Sequence, residues 1–250
     1  FNCVGWTKYN GTVFHDIHQH GSQNLTDIVK NSCNVGVIEV GTRLDEKVFE
    51  KSIRRFGFGT LTEINLPGEI NGLVRSVKDW SRISLASLSI GQEISVTPLQ
   101  LIMAVSAIAN RGTLMKPMIV KEIVDSMQSK IRIFKPKPVR QVVSVDTALT
   151  MTKILEQVVE DGTGTMAKVA GYQIAGKTGT AQKFDFSTGK YSKDKYSSWF
   201  VGYVPAENPE ISILVLLDEP KGSYYGGTVA APVFQEIASK VLPYLSIPTN

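Results

Sequence analysis

Long apolar runs and an excess of charge are both missing from this chain, and each absence narrows what it can do. The longest apolar stretch, residues 99–109, contains Gln100 and Ser106 and is too short for a transmembrane helix. The net charge of +4 at pH 7 is too small to indicate nucleic-acid binding. With 42% hydrophobic residues among 250, the composition is that of a globular chain with a substantial core.

Cysteine and histidine are also scarce, which limits disulfide and metal chemistry. Cys3 and Cys33 permit one disulfide but do not demand it, and two free thiols are at least as good an interpretation. The three histidines lie with Asp16 in residues 15–20, a cluster that suggests metal ligation. Because no further histidine or cysteine follows at a ligand spacing, we predict a solvated loop without a metal.

The most informative stretch is residues 175–180, which places one lysine and two threonines among glycines. Glycine allows close approach of a ligand to the backbone, and lysine and threonine supply charge and hydrogen bonds for an anion. Two chemistries fit. Residues 171–178 match the phosphate-binding G-x-x-x-x-G-K-[ST] loop, with Asp218 after an apolar run as a magnesium ligand. The same lysine also fits the Lys-Thr-Gly strand of acyl-transferring serine enzymes.

The residues around Lys177 favour the strand. A phosphate-binding loop runs into a helix whose N–H groups hold the phosphate. Residues 178–189 are poor helix formers without a helical apolar stripe, and residues 172–175 alternate as a strand does. We therefore predict that Lys177 lies in or at the end of a strand. A P-loop NTPase remains an alternative, although the sequence does not predict the helix that it requires after Lys177.

Apolar periodicity and capping residues predict the remaining elements. Thr97 and Pro98 are typical of a helix start, and Asp146 is the predicted cap of another helix. Residues 99–110 are apolar on most faces, which predicts a buried helix. The predicted helices span residues 25–29, 48–56, 98–110, 146–160 and 230–242, and the predicted strands span residues 118–124, 131–134, 198–204 and 211–217.

These elements predict an α+β fold with an antiparallel sheet flanked by helices. We expect one domain over residues 1–250. Within it, residues 25–115 form a mainly helical subdomain and residues 116–250 form an α/β part that carries the Lys177 strand.

A second short pattern, S-x-N, occurs twice. Ser32 and Asn34 form one match, and Ser22 and Asn24 form the other. We favour Ser32 because it lies between two helical segments, the one at residues 25–29 and a second one indicated by the apolar periodicity of residues 37–41. The structural alternative for Ser32 is an N-cap of the second helix.

Taken together, these motifs resemble the transpeptidase domain of class B penicillin-binding proteins over nearly the whole chain. The residues that carry the resemblance are 32–36, 91–100, 109–112, 162–164, 175–182, 200–205 and 226–234. Residues 162–182 favour the division and sporulation branch over the elongation branch. The resemblance implies the penicillin-recognising, β-lactamase-like fold.

The resemblance also implies roles for the S-x-N residues and the strand lysine. Ser32 is similar to the serine that relays protons between the nucleophile and the leaving group. Asn34 is similar to the asparagine that hydrogen-bonds the amide of the substrate. Lys177 is similar to the lysine that raises the local positive potential and touches the serine hydroxyl.

Three further residues of the strand receive implied roles. The hydroxyls of Thr178 and Thr180 would hold a carboxylate of the stem peptide or of a β-lactam. The N–H of Thr180 would form half of the oxyanion hole. Gly179 would keep the strand edge open for the acyl donor.

One part of the family pattern is not where it is expected. The family nucleophile is the serine of an S-x-x-K motif, tens of residues before S-x-N. The only matches here begin at Ser187 and Ser192, after Lys177 and in a polar loop. We interpret both as decoys, because a nucleophile needs a rigid mount. The chain begins at Phe1 rather than methionine. We therefore expect an upstream segment to carry the nucleophile, the first strands and the central helix, and this chain alone to be inactive.

The implied activity is that of a peptidoglycan D,D-transpeptidase that acts without a metal or organic cofactor. The implied partners are stem peptides, β-lactams, the upstream segment and a division or elongation glycosyltransferase, with no nucleic acid. The implied location is outside the cytoplasmic membrane, with an N-terminal membrane anchor. A carboxypeptidase or β-lactamase of the same superfamily and a non-catalytic scaffold or sensor domain remain open alternatives.

Overall fold

A computed structural model describes residues 1–185 and 187–249 of the chain, with eight helices and thirteen strands among them. The helices are α1 Leu25–Lys30, α2 Asn34–Gly41, α3 Glu46–Arg55, α4 Ser84–Ser89, α5 Pro98–Ala109, α6 Val145–Glu160, α7 Gly226–Val229 and α8 Ala231–Tyr244, with short 3-10 helices at Val77–Asp79 and Thr165–Ala167. The strands are β1 Asn2–Cys3, β2 Trp6–Tyr9, β3 Thr12–His15, β4 Gly21–Ser22, β5 Leu73–Val74, β6 Ile94–Ser95, β7 Thr113–Met115, β8 Glu122–Val124, β9 Lys130–Ile133, β10 Pro138–Gln141, β11 Ala175–Asp185, β12 Lys190–Val204 and β13 Ile211–Asp218.

The largest sheet contains β11, β12 and β13 in that order, and both ladders are antiparallel. This confirms the predicted α+β fold with an antiparallel sheet. In this sheet β11 has a single neighbour, so one side of its backbone is not used by the sheet. Lys177 of β11 pairs with Val201 of β12, and Gly179 pairs with Trp199.

Helices cover both faces of this sheet. Phe200 and Val204 of β12 pack with Phe234 of α8, and the rings of the two phenylalanines lie 4.7 Å apart. Tyr203 has the opposite parity along β12 and packs with Leu155 of α6 and with residues of α5. Lys177 shares the parity of Ala175, the partner of Tyr203, so it belongs to the α5–α6 face of the sheet.

The helix starts follow local capping chemistry. Asn24 and Asp27 form a capping box at α1, and Thr97 and Gln100 form one at α5, as the sequence around Thr97 and Pro98 predicts. The predicted cap of α6 was wrong, because the N–H of Thr147 donates to the Ser144 hydroxyl at 3.1 Å. Asp146 instead lies in the first turn, where a carboxylate favours the helix dipole.

Helix α5 is less buried than predicted. Only Gln100, Ala104 and Ala107 are buried, and its other apolar residues are mostly half-buried. The amide nitrogen of Gln100 donates to the carbonyls of Thr60 and Asn71 at 2.8 and 3.0 Å. Gln100 therefore ties α5 to the loop that precedes β5.

The two parts of the chain meet in several places. Strand β7 belongs to the first part and pairs with β10 of the second part, so this β-ladder connects the two parts. The division into residues 25–115 and 116–250 stays a prediction. In the part of the chain that the structure describes, no helix combines the length and apolar character that crossing a membrane requires.

Candidate active site

The structure brings Lys177 and Ser32 into contact, although 145 residues separate them. The Lys177 amine donates to the Ser32 hydroxyl at 2.9 Å and to the carbonyl of Thr178 at 3.2 Å. Ser32 stands on the turn between α1 and α2, and Lys177 stands on β11. The contact therefore joins the helical part of the chain to the edge strand of the sheet.

Ser32 has a left-handed backbone, with a φ of 56°. This conformation costs a residue other than glycine about 1–3 kcal/mol and is concentrated at functional sites. The turn is closed by two backbone bonds, from Ser32 to Val29 at 3.2 Å and from Cys33 to Ile28 at 2.9 Å. It leaves the Ser32 side chain exposed and aimed at Lys177.

The N-cap of α2 is Cys33 and not Ser32. The N–H of Gly36 donates to the sulfur of Cys33 at 3.2 Å. An N-cap needs an extended backbone, which Cys33 has and the left-handed Ser32 does not. The hydroxyl of Ser32 is therefore free of a capping role.

Asn34 is the first residue of α2 and is half-buried. Its amide nitrogen donates to the carbonyl of His15 at 3.2 Å, which fixes the side chain against the end of β3. The other S-x-N match has a structural role, because Asn24 caps α1. The structure thus separates the two matches by their surroundings.

Thr178 and Thr180 have the opposite parity to Lys177 along β11 and already have polar partners. The hydroxyl of Thr178 lies 2.8 Å from that of Thr163, and the N–H of Gly226 donates to the Thr180 hydroxyl at 2.9 Å. Thr163 lies between two of the glycines that carry the family resemblance, but sequence reasoning gave it no role. The sequence signal that could have identified Thr163 is its place in residues 162–164, one of the segments that carry the resemblance.

Gly179 is required by packing. A β-carbon on Gly179 would lie 2.0 Å from the indole ring of Trp199, its partner on β12. Trp199 therefore covers the strand at this point. Any larger residue at position 179 would displace the indole or the strand edge.

Lys177 is the cationic group of this site. Burial lowers the pKa of Lys177 to about 8, because the surroundings disfavour the charged amine. Within the described ranges, no ion pair of the chain involves this lysine. At neutral pH the site therefore presents a cation to an anionic ligand.

The structure does not support the phosphate-binding loop. Strand β11 continues from Ala175 to Asp185, so no helix begins after Lys177 to hold a phosphate. The carboxylate of Asp218, the suggested magnesium ligand, forms an ion pair with Lys183 at 3.0 Å. The P-loop NTPase alternative lacks both of its structural requirements.

The two S-x-x-K serines lie at the far end of the β11–β12 hairpin. Asp185 is eight residues along the strand from Lys177, about 26 Å at 3.3 Å per residue. The hydroxyl of Ser187 donates to that aspartate at 2.6 Å, and the hydroxyl of Ser192 donates to Asp194 at 2.7 Å. Neither serine lies near the Lys177–Ser32 contact.

The two cysteines are free and buried, but they are not isolated. One ligand atom each of Cys3, Asp16, His20 and Cys33 lies within 4.8 Å of the others. The expectation that the histidine segment lacks a cysteine partner was therefore wrong. The fold brings β1 and the start of α2 to this segment. Burial and hydrogen bonding to Asp16 raise the pKa of the Cys33 thiol well above its ordinary value.

Comparison with known proteins identifies the family of the chain. The family model described as penicillin binding protein transpeptidase domain matches residues 1–239. The chain is 42% identical over 231 residues to the stage V sporulation protein D of Bacillus subtilis, a match that covers 91% of this chain and 35% of that protein. It is 36% identical over 243 residues to the peptidoglycan D,D-transpeptidase FtsI of Buchnera aphidicola, covering 95% of this chain and 40% of that protein. These relatives are consistent with the predicted division and sporulation branch.

Solved structures give the same answer for the fold. Penicillin binding protein 3 from Mycobacterium tuberculosis, complexed with aztreonam, superposes with a TM-score of 0.92 at 36% identity, over 100% of this chain and 58% of that one. The transpeptidase domain of penicillin-binding protein 3 from Burkholderia pseudomallei gives 0.87 at 32% identity, over 100% of this chain and 72% of that one. The chain spans well under half the length of the two curated relatives named above. It belongs to the transpeptidase-domain family of the penicillin-binding proteins.

Proposed function

We propose that this chain forms the substrate-binding and proton-relay part of a serine-type peptidoglycan D,D-transpeptidase. The observation that carries the proposal is the 2.9 Å contact between Lys177 and Ser32 at the edge of β11. It places the Lys177 amine beside the exposed Ser32 hydroxyl, and the strand of Lys177 also carries Thr178 and Thr180. An anionic peptide carboxylate is the ligand that such a group recognises.

The reaction proceeds in two acyl transfers. The hydroxyl oxygen of a nucleophilic serine attacks the carbonyl carbon of the penultimate D-alanine of a stem peptide, and the terminal D-alanine leaves with a proton. The amine of a second stem peptide then attacks the ester, forms the cross-link and returns the proton to the serine. A β-lactam acylates the same serine by opening its ring.

Each residue of the site has a task in this scheme. Ser32 relays the proton between the nucleophile and the leaving amine, and Lys177 holds its hydroxyl and attracts the carboxylate. Asn34 hydrogen-bonds the substrate amide. Thr178 and Thr180 bind the carboxylate, and the N–H of Thr180 stabilises the oxyanion.

The open edge of β11 and its glycine support binding of an extended peptide. An edge strand offers unused N–H and C=O groups to a peptide that lies beside it. At Gly179 the strand carries no side chain, and Trp199 packs against it. The substrate can therefore lie along the strand between Lys177 and Thr180.

We place the nucleophile in a segment additional to these 250 residues. The two S-x-x-K serines within the chain lie on a hairpin end about 20–26 Å from Lys177 by strand geometry. Each donates its hydroxyl to a neighbouring aspartate. Without the added segment, this chain alone would not form an acyl-enzyme.

The cellular setting follows the same proposal. Relatives are named for peptidoglycan transpeptidation and sporulation, and one similar structure is titled a peptidoglycan glycosyltransferase. We place the enzyme outside the cytoplasmic membrane, anchored by a membrane helix, with a division or elongation glycosyltransferase as its partner. Its substrates are stem peptides, and β-lactams are its inhibitors.

The test is the intact mass of the full-length protein after exposure to a β-lactam. We expect one adduct, on a serine outside the 250 residues, and slow formation in the Lys177→Ala variant. Lys183→Ala is the matched control. Lys183 lies on the same strand as Lys177, but its amine pairs with Asp218 and not with Ser32.

Each other outcome excludes part of the proposal. An adduct on Ser187 or Ser192 would show that a hairpin serine is the nucleophile. No adduct with any β-lactam would indicate a non-catalytic scaffold or sensor domain. Rapid deacylation by water would indicate a carboxypeptidase or β-lactamase.

A further inference from the structure

Residues 113–141 form a two-stranded ribbon that opens in its middle. Strand β7 pairs with β10 at one end of the ribbon, and β8 pairs with β9 at the other. The last bonds on either side of the opening run from the N–H of Lys116 to the carbonyl of Lys137 and from the N–H of Phe134 to the carbonyl of Lys121, each at 2.9 Å. Within the opening, four residues on one side face two on the other, so the longer side leaves the ladder.

Proline explains why the pairing stops here. Pro117 and Pro136 lie at the same end of the opening, and neither has an N–H to donate to the opposite strand. Beyond Pro117, the backbone groups of residues 118–120 form no hydrogen bond with any residue that the structure describes. These three residues therefore offer N–H and C=O groups as a free sheet edge does.

The side chains of residues 118–120 are apolar and exposed. Their exposed fractions are 42%, 57% and 44%. Together with Ile64 and Phe134 they line a groove of about 350 Å³, called the ribbon groove below. Covering these apolar groups would remove them from water, which favours the binding of a partner with apolar side chains of its own.

Positive charge surrounds the ribbon groove. Lys116, Lys135 and Lys137 line it together with Arg132. Residues 116–140 contain seven lysines and arginines against two acidic residues, in a chain whose net charge is only +4. The rest of the chain is therefore close to neutral, and the positive charge of the molecule is concentrated around this groove.

Most of the charge that lines the groove is available to a partner. Lys116 forms an ion pair with Glu63 at 2.7 Å. Lys135 and Lys137 are exposed and form no ion pair with the residues that the structure describes. Carboxylates spaced along a partner would be attracted by both lysines, and such complementarity speeds and directs association.

We propose that the ribbon groove binds an extended acidic segment of a partner protein, in which carboxylates alternate with apolar side chains. The segment adds a strand beside residues 118–120, its apolar side chains cover the groove and its carboxylates meet the lysines. A flat lipid surface could neutralise the lysines, but it would neither enter a concave groove nor pair with backbone groups in register. The inference does not depend on the proposed function.

The test uses the full-length protein and a short fluorescent peptide of alternating glutamate and valine. We expect binding, measured by fluorescence anisotropy. A peptide with glutamine in place of every glutamate should bind at least about tenfold more weakly, because it lacks the carboxylates. A polyglutamate peptide of the same length should also bind at least about tenfold more weakly, because it has no apolar side chains to bury.

Pairing of the backbone is tested separately. Only alternate N–H groups of a strand point to a given neighbouring strand. Methylation of all valine nitrogens and methylation of all glutamate nitrogens should therefore have different effects. One methylated peptide should lose at least about tenfold in affinity, and the other should keep its affinity. Equal affinities of the two methylated peptides would contradict strand addition.

Charge reversal on the protein identifies the surface. The double variant Lys135→Glu and Lys137→Glu should weaken binding of the alternating peptide by at least about 100-fold. The double variant Lys190→Glu and Lys193→Glu is the matched control, because it makes the same change of net charge on exposed lysines of β12. The control should bind as the unchanged protein does. Thermal unfolding checks that both variants are folded.

Specific outcomes would overturn the proposal. Failure of the full-length protein to bind the alternating peptide would do so, because a groove covered by another part of the protein is not a docking site. Binding to phosphatidylglycerol vesicles without binding to the peptide would assign the groove to an anionic lipid surface instead. Equal losses in the two double variants would show that net charge and not the groove is responsible. Peptide binding is measured without a β-lactam, so its result is independent of the proposed function.

Discussion

Lys177 stands on a strand that is hydrogen-bonded to β12 from Ala175 onward, whereas Ser32 stands on a two-helix turn held by a few local contacts. The strand side is backed by the core of the sheet, which includes Tyr203 and Phe200. The turn side depends on Cys33 and on the segment that carries His15 and Asp16. One side of the Lys177–Ser32 contact is therefore fixed by the long pairing of β11 with β12, and the other by two local backbone bonds together with side-chain contacts.

This difference predicts how each side fails. Removing the polar side chains of the strand should remove chemistry while the sheet stays folded, because backbone hydrogen bonds do not depend on those side chains. Changes on the turn should alter stability and activity together. Separate measurements of activity and of stability in single variants test that contrast.

Lys177→Ala should slow β-lactam acylation by about 10³-fold, because it removes both the cation and the partner of the Ser32 hydroxyl. The melting temperature should hardly change, since the strand pairing of β11 remains. Acylation rate and thermal unfolding measure the two effects. Equal acylation rates for Lys177→Ala and Lys183→Ala would show that the lysine has no special role.

Ser32→Ala should slow acylation by about 10²-fold, the lower end for a positioned proton-transfer group. Ser22→Ala, in the other S-x-N match, is the control and should leave the rate unchanged. A stopped-flow acylation assay with a chromogenic β-lactam compares them. If both variants were equally slow, the loss could not be assigned to the Ser32–Lys177 contact.

Much of the fold follows from local signals in the sequence. The apolar run of residues 211–217 predicts strand β13, and Thr97 with Pro98 predicts the start of α5, because these signals come from near neighbours. Lys177 could be placed on a strand for the same reason. The run of residues 211–217 also predicted a buried central strand, which was wrong, because β13 lies at an edge of the described sheet and is mostly half-buried. The choice of Ser144 over Asp146 as the α6 cap could not be made, because both residues suit a helix start.

Only part of the site could be predicted from the sequence. The family pattern pointed to Ser32 and Lys177, but nothing in the sequence shows the left-handed backbone of Ser32. Nor does it show that Cys3 and Cys33 flank the histidine segment. Cys3 precedes Asp16 by 13 residues, and such a spacing matches no short metal motif. Contacts of this kind are created by tertiary packing.

Gly179→Ala should destabilise the protein by about 1–3 kcal/mol, because the new methyl group would overlap the indole of Trp199. Thermal or denaturant unfolding measures the loss. Adding Trp199→Ala should recover part of it, since the clash disappears, and the double-mutant cycle gives the coupling. Purely additive losses would show that the indole is not what excludes a side chain here.

Capture of an anionic substrate should fall about tenfold between pH 7 and pH 9, as Lys177 loses its proton around a pKa of about 8. The measurement is the dissociation constant of a stem-peptide analogue across this range. Unfolding cannot explain the fall. The unfolded chain binds more protons between about pH 8 and 10.5, so this group makes folding more favourable as pH rises. The Lys177→Ala variant should show no such pH dependence.

Ser32→Gly should be more stable than Ser32→Ala by about 1 kcal/mol, because glycine adopts the left-handed backbone without strain. Both variants lack the hydroxyl, so the difference isolates the backbone from the chemistry. Ser52, an exposed residue within α3, gives the matched control. There glycine should be less stable than alanine by about 1 kcal/mol. The same sign at both positions would mean that the turn relaxes when the hydroxyl is lost, and that the Lys177 contact is what holds Ser32 in its strained form.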